Sequence, residues 1–292
     1  MKLTLATPTF GDPPYLTECI QSVKNQSVTI GHIVCGGDLK FGERSGSVQI
    51  INKTPDPGMV QCWNTAANSV ETDYLGFLAD DNTLEPGYAE LMIEFLENNP
   101  ECDLVFCNQH HMDSAGKVDY KKSEMITRYF GRDKLTPGII QENQYETILT
   151  KNAIPLEACI IRNKIWSLYG PFNEKAEGSF DQAFLYKILL SGTKIAFIED
   201  YLMNFRWHEQ AYSVLKKQEH ITGSIWTNET LMEESKQYFD FFKAKSILLK
   251  GTLLRFDLHP RERFYLMLNL LKEKGGIQIV AKNTLAKLIG KK

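Results

Sequence analysis

The chain has 292 residues, with 33 Lys plus Arg against 36 Asp plus Glu and a formal net charge of -3. At 43% hydrophobic and 24% charged it sits near the globular average, which excludes disorder and low complexity. The charge excludes a protein that coats nucleic acid along its whole surface, and no nucleic-acid partner is expected.

Six cysteines are scattered without a Cys-x-x-Cys pair or a zinc-like spacing, and read as free buried thiols in a reducing compartment. The amino terminus breaks at Pro8, too early for a signal peptide, and reads as a first core strand. No run approaches the roughly 18 to 20 apolar residues that span a bilayer, so a soluble or at most peripheral protein is expected.

In chain order, Leu3 to Thr7 predicts a strand and Tyr15 to Asn25 a helix with Leu16, Cys19, Ile20 and Val23 on one face. Pro13 and Pro14 suit the start of that helix. His32 to Cys35 predicts a strand ended by Gly36-Gly37-Asp38, and Val48 to Ile51 another. A helix around Val60 to Val70, a strand at Tyr74 to Leu78, a helix over Pro86 to Glu97 and a strand at Asp103 to Cys107 follow. From Ser114 to Lys151 the pattern turns polar, as in a lid or substrate loop. Order resumes with Glu157 to Arg162, a helix near Lys164 to Tyr169, a helix over Asp181 to Ser191, and two strands at Lys194 to Ile198 and Tyr201 to Phe205. Beyond Ser213 the sequence reads as helices alone.

This alternation implies right-handed βαβ crossovers and an α/β fold with a doubly wound, mostly parallel sheet. Ligands of such sheets bind beyond the carboxyl ends of the strands. Thr7-Pro8-Thr9, Gly36-Gly37-Asp38 and Ala79-Asp80-Asp81-Asn82 are therefore expected at one rim.

Three constellations can carry chemistry. Asp80, Asp81 and Asn82 form a hard oxygen cluster of the kind that holds Mg²⁺ or Mn²⁺, though Asp and Asn are also ordinary turn residues. Arg206-Trp207-His208 adds an imidazole, which suits Mn²⁺, or is a surface histidine beside an aromatic. Asp181 opens a helix, where a carboxylate also serves as a cap.

Their order in one chain resembles glycosyltransferase family 2, the inverting nucleotide-sugar transferases with a GT-A fold. Thr7-Pro8-Thr9-Phe10 looks like the family's donor loop, and Leu16 to Gln26 its first helix. Asp56-Pro57-Gly58 with Asn64 resembles its "D-x-G" segment, and Tyr74 to Pro86 the strand with the D-x-D-type metal site. Gly170-Pro171-Phe172-Asn173-Glu174, then Asp181 with Gly192, then Phe205-Arg206-Trp207-His208 with Ser213 complete the series. Two departures stand out. The second strand ends Cys35-Gly36-Gly37-Asp38 where many relatives carry aspartate at the strand's end, and Ala79 replaces the first Asp of D-x-D if Pro86 fixes the register. Asp81 is retained in either register.

The resemblance, over about residues 2 to 215, implies a metal-dependent, inverting transfer of a sugar from a nucleotide diphosphate to an acceptor hydroxyl. It implies Asp181 as catalytic base, and Asp81, Asp80 and His208 at a Mn²⁺ or Mg²⁺ ion. Thr7, Pro8, Thr9, Asp38, Asp56 and Asp80 would line the nucleotide-sugar pocket, with a UDP-sugar the expected donor. A glycan or lipid-linked acceptor, in bacterial surface polysaccharide or glycan synthesis, is the expected setting. The expected domains are a GT-A catalytic domain over 1–215, its donor half about 1–110 and acceptor half about 111–215, and a basic helical region over 216–292. A non-catalytic nucleotide- or partner-binding protein on the same fold is the alternative. A nucleotidyltransferase fits less well, since Thr7 to Tyr15 contains no Lys or Arg.

Charge divides unevenly. Phe241 to Lys292 carries 12 Lys plus Arg against 3 Asp plus Glu, a balance of +9, which leaves -12 for the remainder. The basic helices either cap the catalytic domain or attach it to an anionic bilayer, placing the chain in the cytoplasm or at the inner face of the membrane.

Overall fold

A computed structural model describes residues 1–11, 13–37, 39, 44–45 and 48–289. By internal contact they form two compact units, Met1–Phe172 with Phe184–His208, and Asn173–Ala183 with Glu209–Lys292.

The first unit is built on one sheet. Its elements run β1 (Leu3–Phe10), α1 (Leu16–Lys24), β2 (Gly31–Gly37), β3 (Arg44–Ser45), β4 (Val48–Lys53), α2 (Met59–Asn68), β5 (Tyr74–Phe77) and β6 (Thr83–Leu84). Then come α3 (Tyr88–Asn98), β7 (Leu104–Met112), α4 (Tyr120–Tyr129), β8 (Gly138–Ile139), α5 (Tyr145–Lys151), β9 (Cys159–Arg162), α6 (Asn163–Tyr169), α7 (Phe180–Leu190), of which this unit holds the part from Phe184, and β10 (Ile195–Arg206). The strand order is β3-β4-β2-β1-β5-β9-β7-β10-β6, with β8 on β10. The long pairings of β1 with β2 and β5, of β2 with β4, and of β7 with β10 are parallel, whereas β9 runs antiparallel between β5 and β7.

Strand alternation explains the two layers of helices. Leu3, Leu5 and Tyr74 face Cys19 and Val23 of α1 and Met92 and Leu96 of α3 in one apolar cluster. Phe77 points the other way, 5.8 Å from both Trp63 of α2 and Trp166 of α6, with Phe172 and Phe184 completing an aromatic cluster. Each such ring removed from water contributes about 1.5–3 kcal/mol.

Two motif residues join distant segments. Gln26 donates to the Glu85 carbonyl at 2.9 Å and accepts the Ala89 amide at 2.9 Å, tying the end of α1 to the start of α3. Asn64 donates to the Phe172 carbonyl at 3.0 Å and accepts its amide at 2.8 Å. All six cysteines are buried and none forms a disulfide.

The second unit contains α8 (Tyr212–Leu215), α9 (Lys217–Glu234), α10 (Phe239–Leu253), α11 (Pro260–Leu271) and α12 (Gly276–Ile289). The last three helices share a small core of Leu254, Leu270 and Val280. Pro260 opens α11 where proline costs no hydrogen bond, and His259 and Glu262 form a capping box around it. Among the described residues, no helix is long and apolar enough to cross a membrane.

Candidate active site

The acidic turn follows β5 at the carboxyl edge of the parallel strands, the position that sheet topology favours for ligands. β1 does not stop at Thr7; it stays paired with β2 through Phe10 opposite Gly37. Thr7 and Pro8 are therefore buried strand residues, and the Thr7 hydroxyl bonds to His32 Nε2 at 2.8 Å. Thr9 reaches the rim and donates its hydroxyl to Asp80 Oδ2 at 2.5 Å. Asp56 is exposed and packs on the end of β2, where a Cβ at Gly37 would stand 2.3 Å from the Asp56 Cβ. Asp38 lies outside the described residues.

Asp81 and His208 meet, although 127 positions separate them: Asp81 Oδ2 is 3.0 Å from His208 Nε2. Both are half-buried, and the Tyr15 ring stands 5.1 Å from the imidazole. Burial raises the Asp81 pKa against the hydrogen bond and charge of His208, which lower it. Asp80 is pushed up to about 7, first by burial and further by the Asp81 charge, while the Thr9 hydroxyl pulls the other way. Two crowded carboxylates whose anionic forms cost this much favour a cation beside them.

Arg206, at the end of β10, holds the turn in place and was not among the site residues drawn from the sequence. It is 1% exposed. Its Nε donates to the Asp81 carbonyl at 2.8 Å, its Nη1 to the Ser114 carbonyl at 3.3 Å and its Nη2 to Glu18. The guanidinium also stacks over Tyr15, 4.3 Å from the ring centroid. Asn82 completes the frame: its Oδ1 accepts the Arg206 amide at 2.7 Å and its Nδ2 donates to Glu157. With both ends of its amide engaged and 1% exposure, Asn82 is a structural residue of the turn. The available sequence signal was adjacency, since Arg206 stands two places before His208 in the quoted motif.

Asp181 belongs to the second compact unit. It lies in the first turn of α7, its own Oδ1 accepts the Gln182 amide at 2.7 Å, and burial raises its pKa. In the same unit a cavity of about 400 Å³ is lined by Lys217, His220, Ile221, Thr252, Arg255 and other residues.

The fold is the expected GT-A arrangement of α/β type, and comparisons with known proteins agree. TarS of S. aureus, solved in complex with UDP-GlcNAc, superposes with a TM-score of 0.65 at 14% identity, covering 96% of this chain and 82% of that one. A second structure, of TarS 1-349, gives 0.63 at 12% identity, covering 92% and 79%. In sequence, the chain is 22% identical over 259 residues to the hyaluronan synthase of Pasteurella multocida, covering 82% of this chain and 24% of that one. It is also 22% identical over 256 residues to an uncharacterised glycosyltransferase of Methanocaldococcus jannaschii, covering 81% of each. The chain thus spans about a quarter of the length of the hyaluronan synthase. No family model matches it. The chain is thus similar in sequence to glycosyltransferases and in fold to TarS.

Proposed function

We propose that the chain is an inverting glycosyltransferase that moves a sugar from a UDP-type nucleotide sugar to an acceptor hydroxyl. The observation that carries this reading is the 3.0 Å pairing of Asp81 with His208 at the carboxyl edge of the sheet, beside Asp80. The UDP-GlcNAc complex of TarS, a structural neighbour, supports the donor class. The hyaluronan synthase among the sequence relatives supports a polysaccharide or glycan product.

The donor set fits a divalent cation with two protein ligands. Among the described residues no group of three or more His, Cys, Asp or Glu side chains is arranged to hold a metal ion. Asp81 and His208 would supply a carboxylate oxygen and an imidazole nitrogen, a mixture that suits Mn²⁺, while Mg²⁺ also takes few protein ligands. When bound, the ion offsets the charge that develops on the diphosphate leaving group. Arg206 holds the main chain of Asp81 in the required place. Asp80, steadied by Thr9, assists at the donor, and Asp56 extends the nucleotide pocket.

Asp181 is the proposed base, taking the proton of the acceptor hydroxyl as the hydroxyl attacks. Burial raises its pKa, which makes the carboxylate a stronger base. Inversion follows when the hydroxyl attacks opposite the departing diphosphate. The catalytic portion spans residues 1–215, with the basic helices beyond it.

Those helices carry exposed Phe264, Tyr265, Leu268 and Ile277 among Lys and Arg residues, which supports peripheral attachment to an anionic membrane near a lipid-linked acceptor. Equal co-sedimentation with neutral and anionic liposomes contradicts that part. The catalytic reading is tested by UDP release from a panel of UDP-sugars with Mn²⁺. Turnover of at least one donor is expected; UDP binding with no turnover across the panel favours a binding module instead.

A further inference from the structure

The turn that delivers Asp181, Glu174–Ser179, is fastened to one face of α9. His220, Gly223 and Ser224 share that face through their i, i+3 and i+4 spacing. Ser179 Oγ donates to the His220 carbonyl at 3.0 Å and bonds the Ser224 hydroxyl at 2.5 Å. One position along, the Thr222 hydroxyl donates to the Glu177 carboxylate. Gly223 is a requirement of the contact, because a Cβ there would stand 1.9 Å from the Ala176 carbonyl oxygen. Gly178 is equally constrained: its Cβ would meet the His220 imidazole at 2.8 Å. Glu177 holds φ of 45°, left-handed backbone for a non-glycine residue, which persists only where surrounding contacts over-determine it.

We infer that His220 is a positioning residue for the proposed base, its imidazole seated on Gly178 so as to aim Asp181 and set the charge around it. The inference rests on Asp181 being the base. A second observation separates His220 from a packing residue: its Nε2 is buried and has no hydrogen-bond partner among the described residues. A leucine would fill the same space without leaving a polar nitrogen unmet.

The charged groups around the ring come from several elements. Burial lowers the His220 pKa, while Asp181 of α7, Glu219 of α9 and the Gly178 main chain favour the imidazolium and pull the other way. Tyr212 of α8 stands 5.6 Å away and bonds Glu219, while Lys217 and Arg255 line the cavity that His220 also lines. Within the turn, Glu177 is taken up by Thr222. The coupling is mutual, and a charged His220 makes Asp181 easier to ionise. Replacing the ring by a neutral side chain moves the titration of Asp181 to higher pH.

The test is the pH dependence of kcat for UDP release, with the best donor of the panel, in the wild type, His220→Asn and Gly223→Ala. His220→Asn is expected to lower kcat about tenfold. Its acid limb should move to higher pH while UDP affinity, read by calorimetry, stays unchanged. Gly223→Ala keeps the imidazole but displaces the turn, and is expected to lower kcat with UDP affinity intact; if it does not fold, His220→Asn decides alone. An unchanged rate and profile in His220→Asn overturns the inference. So does a lower kcat with an unmoved acid limb, the mark of a merely structural role. Full turnover by Asp181→Asn overturns the base assignment itself, whatever the residue at 220 does.

Discussion

Arg206 Nε donates to the main-chain oxygen of Asp81 at 2.8 Å, so the residue that ends the last strand of the sheet fixes the acidic turn that follows β5. This guanidinium is buried and shares its donors among the turn, the Ser114 carbonyl and Glu18. Glu18 is 58% exposed, so that ion pair alone is worth little. The buried hydrogen bonds and the stacking on Tyr15 carry the effect.

Arg206→Ala is expected to cost about 3 kcal/mol of stability in denaturant unfolding, because it leaves buried carbonyls without donors. Arg206→Lys keeps the charge but loses the planar fork, and an intermediate loss is expected. Weaker UDP binding should accompany both. An unchanged unfolding midpoint in Arg206→Ala contradicts this account of the turn.

The acid side of the stability curve has a separate source. Burial depresses the His32 pKa to about 3 and the His111 pKa to about 4. In the folded chain both rings stay neutral, whereas the unfolded chain protonates them below about pH 6.5. Their contribution is therefore complete above about pH 6.5 and is lost as pH falls towards those depressed values. His32→Gln is expected to flatten the slope of unfolding free energy between pH 5 and 4 by about 1.4 kcal/mol per pH unit. Urea titrations across that range check it, and an unchanged slope contradicts it.

What the sequence disclosed follows from burial. β1, β5 and the first part of β7 are apolar runs, and their strands were legible. β7 was cut short at Cys107 because Asn108, Gln109 and His111 continue it as buried polar residues. Asn108 repays its burial by donating to the Glu199 carbonyl at 2.8 Å and accepting from Arg132 at 3.1 Å. The polar stretch from Ser114 to Lys151 conceals α4, whose buried residues are Ser123 and Thr127 and whose Tyr120, Met125 and Tyr129 are exposed. No apolar period marks such a helix. The two strands expected at Lys194 to Phe205 are one strand, β10, whose register shifts around exposed Glu199 and Asp200. At the site, the acidic turn and the family resemblance marked Asp81 and His208 as candidates, but their meeting depends on β10 lying in the same sheet as β5. The frame built by Arg206 and Asn82 is a matter of three-dimensional hydrogen bonding that spacing does not encode.

Asp181→Asn preserves shape and removes the proton acceptor. Turnover is expected to fall about 10²- to 10⁴-fold, with UDP affinity unchanged. A near wild-type rate contradicts Asp181 as the base.

The most direct measurement is calorimetric binding of UDP, with and without Mn²⁺, to the wild type and Asp81→Ala. Metal-dependent binding by the wild type and its loss in Asp81→Ala are predicted. Equal UDP affinity in the two proteins, whether or not Mn²⁺ is present, would contradict the placement of the donor's diphosphate at Asp81 and His208.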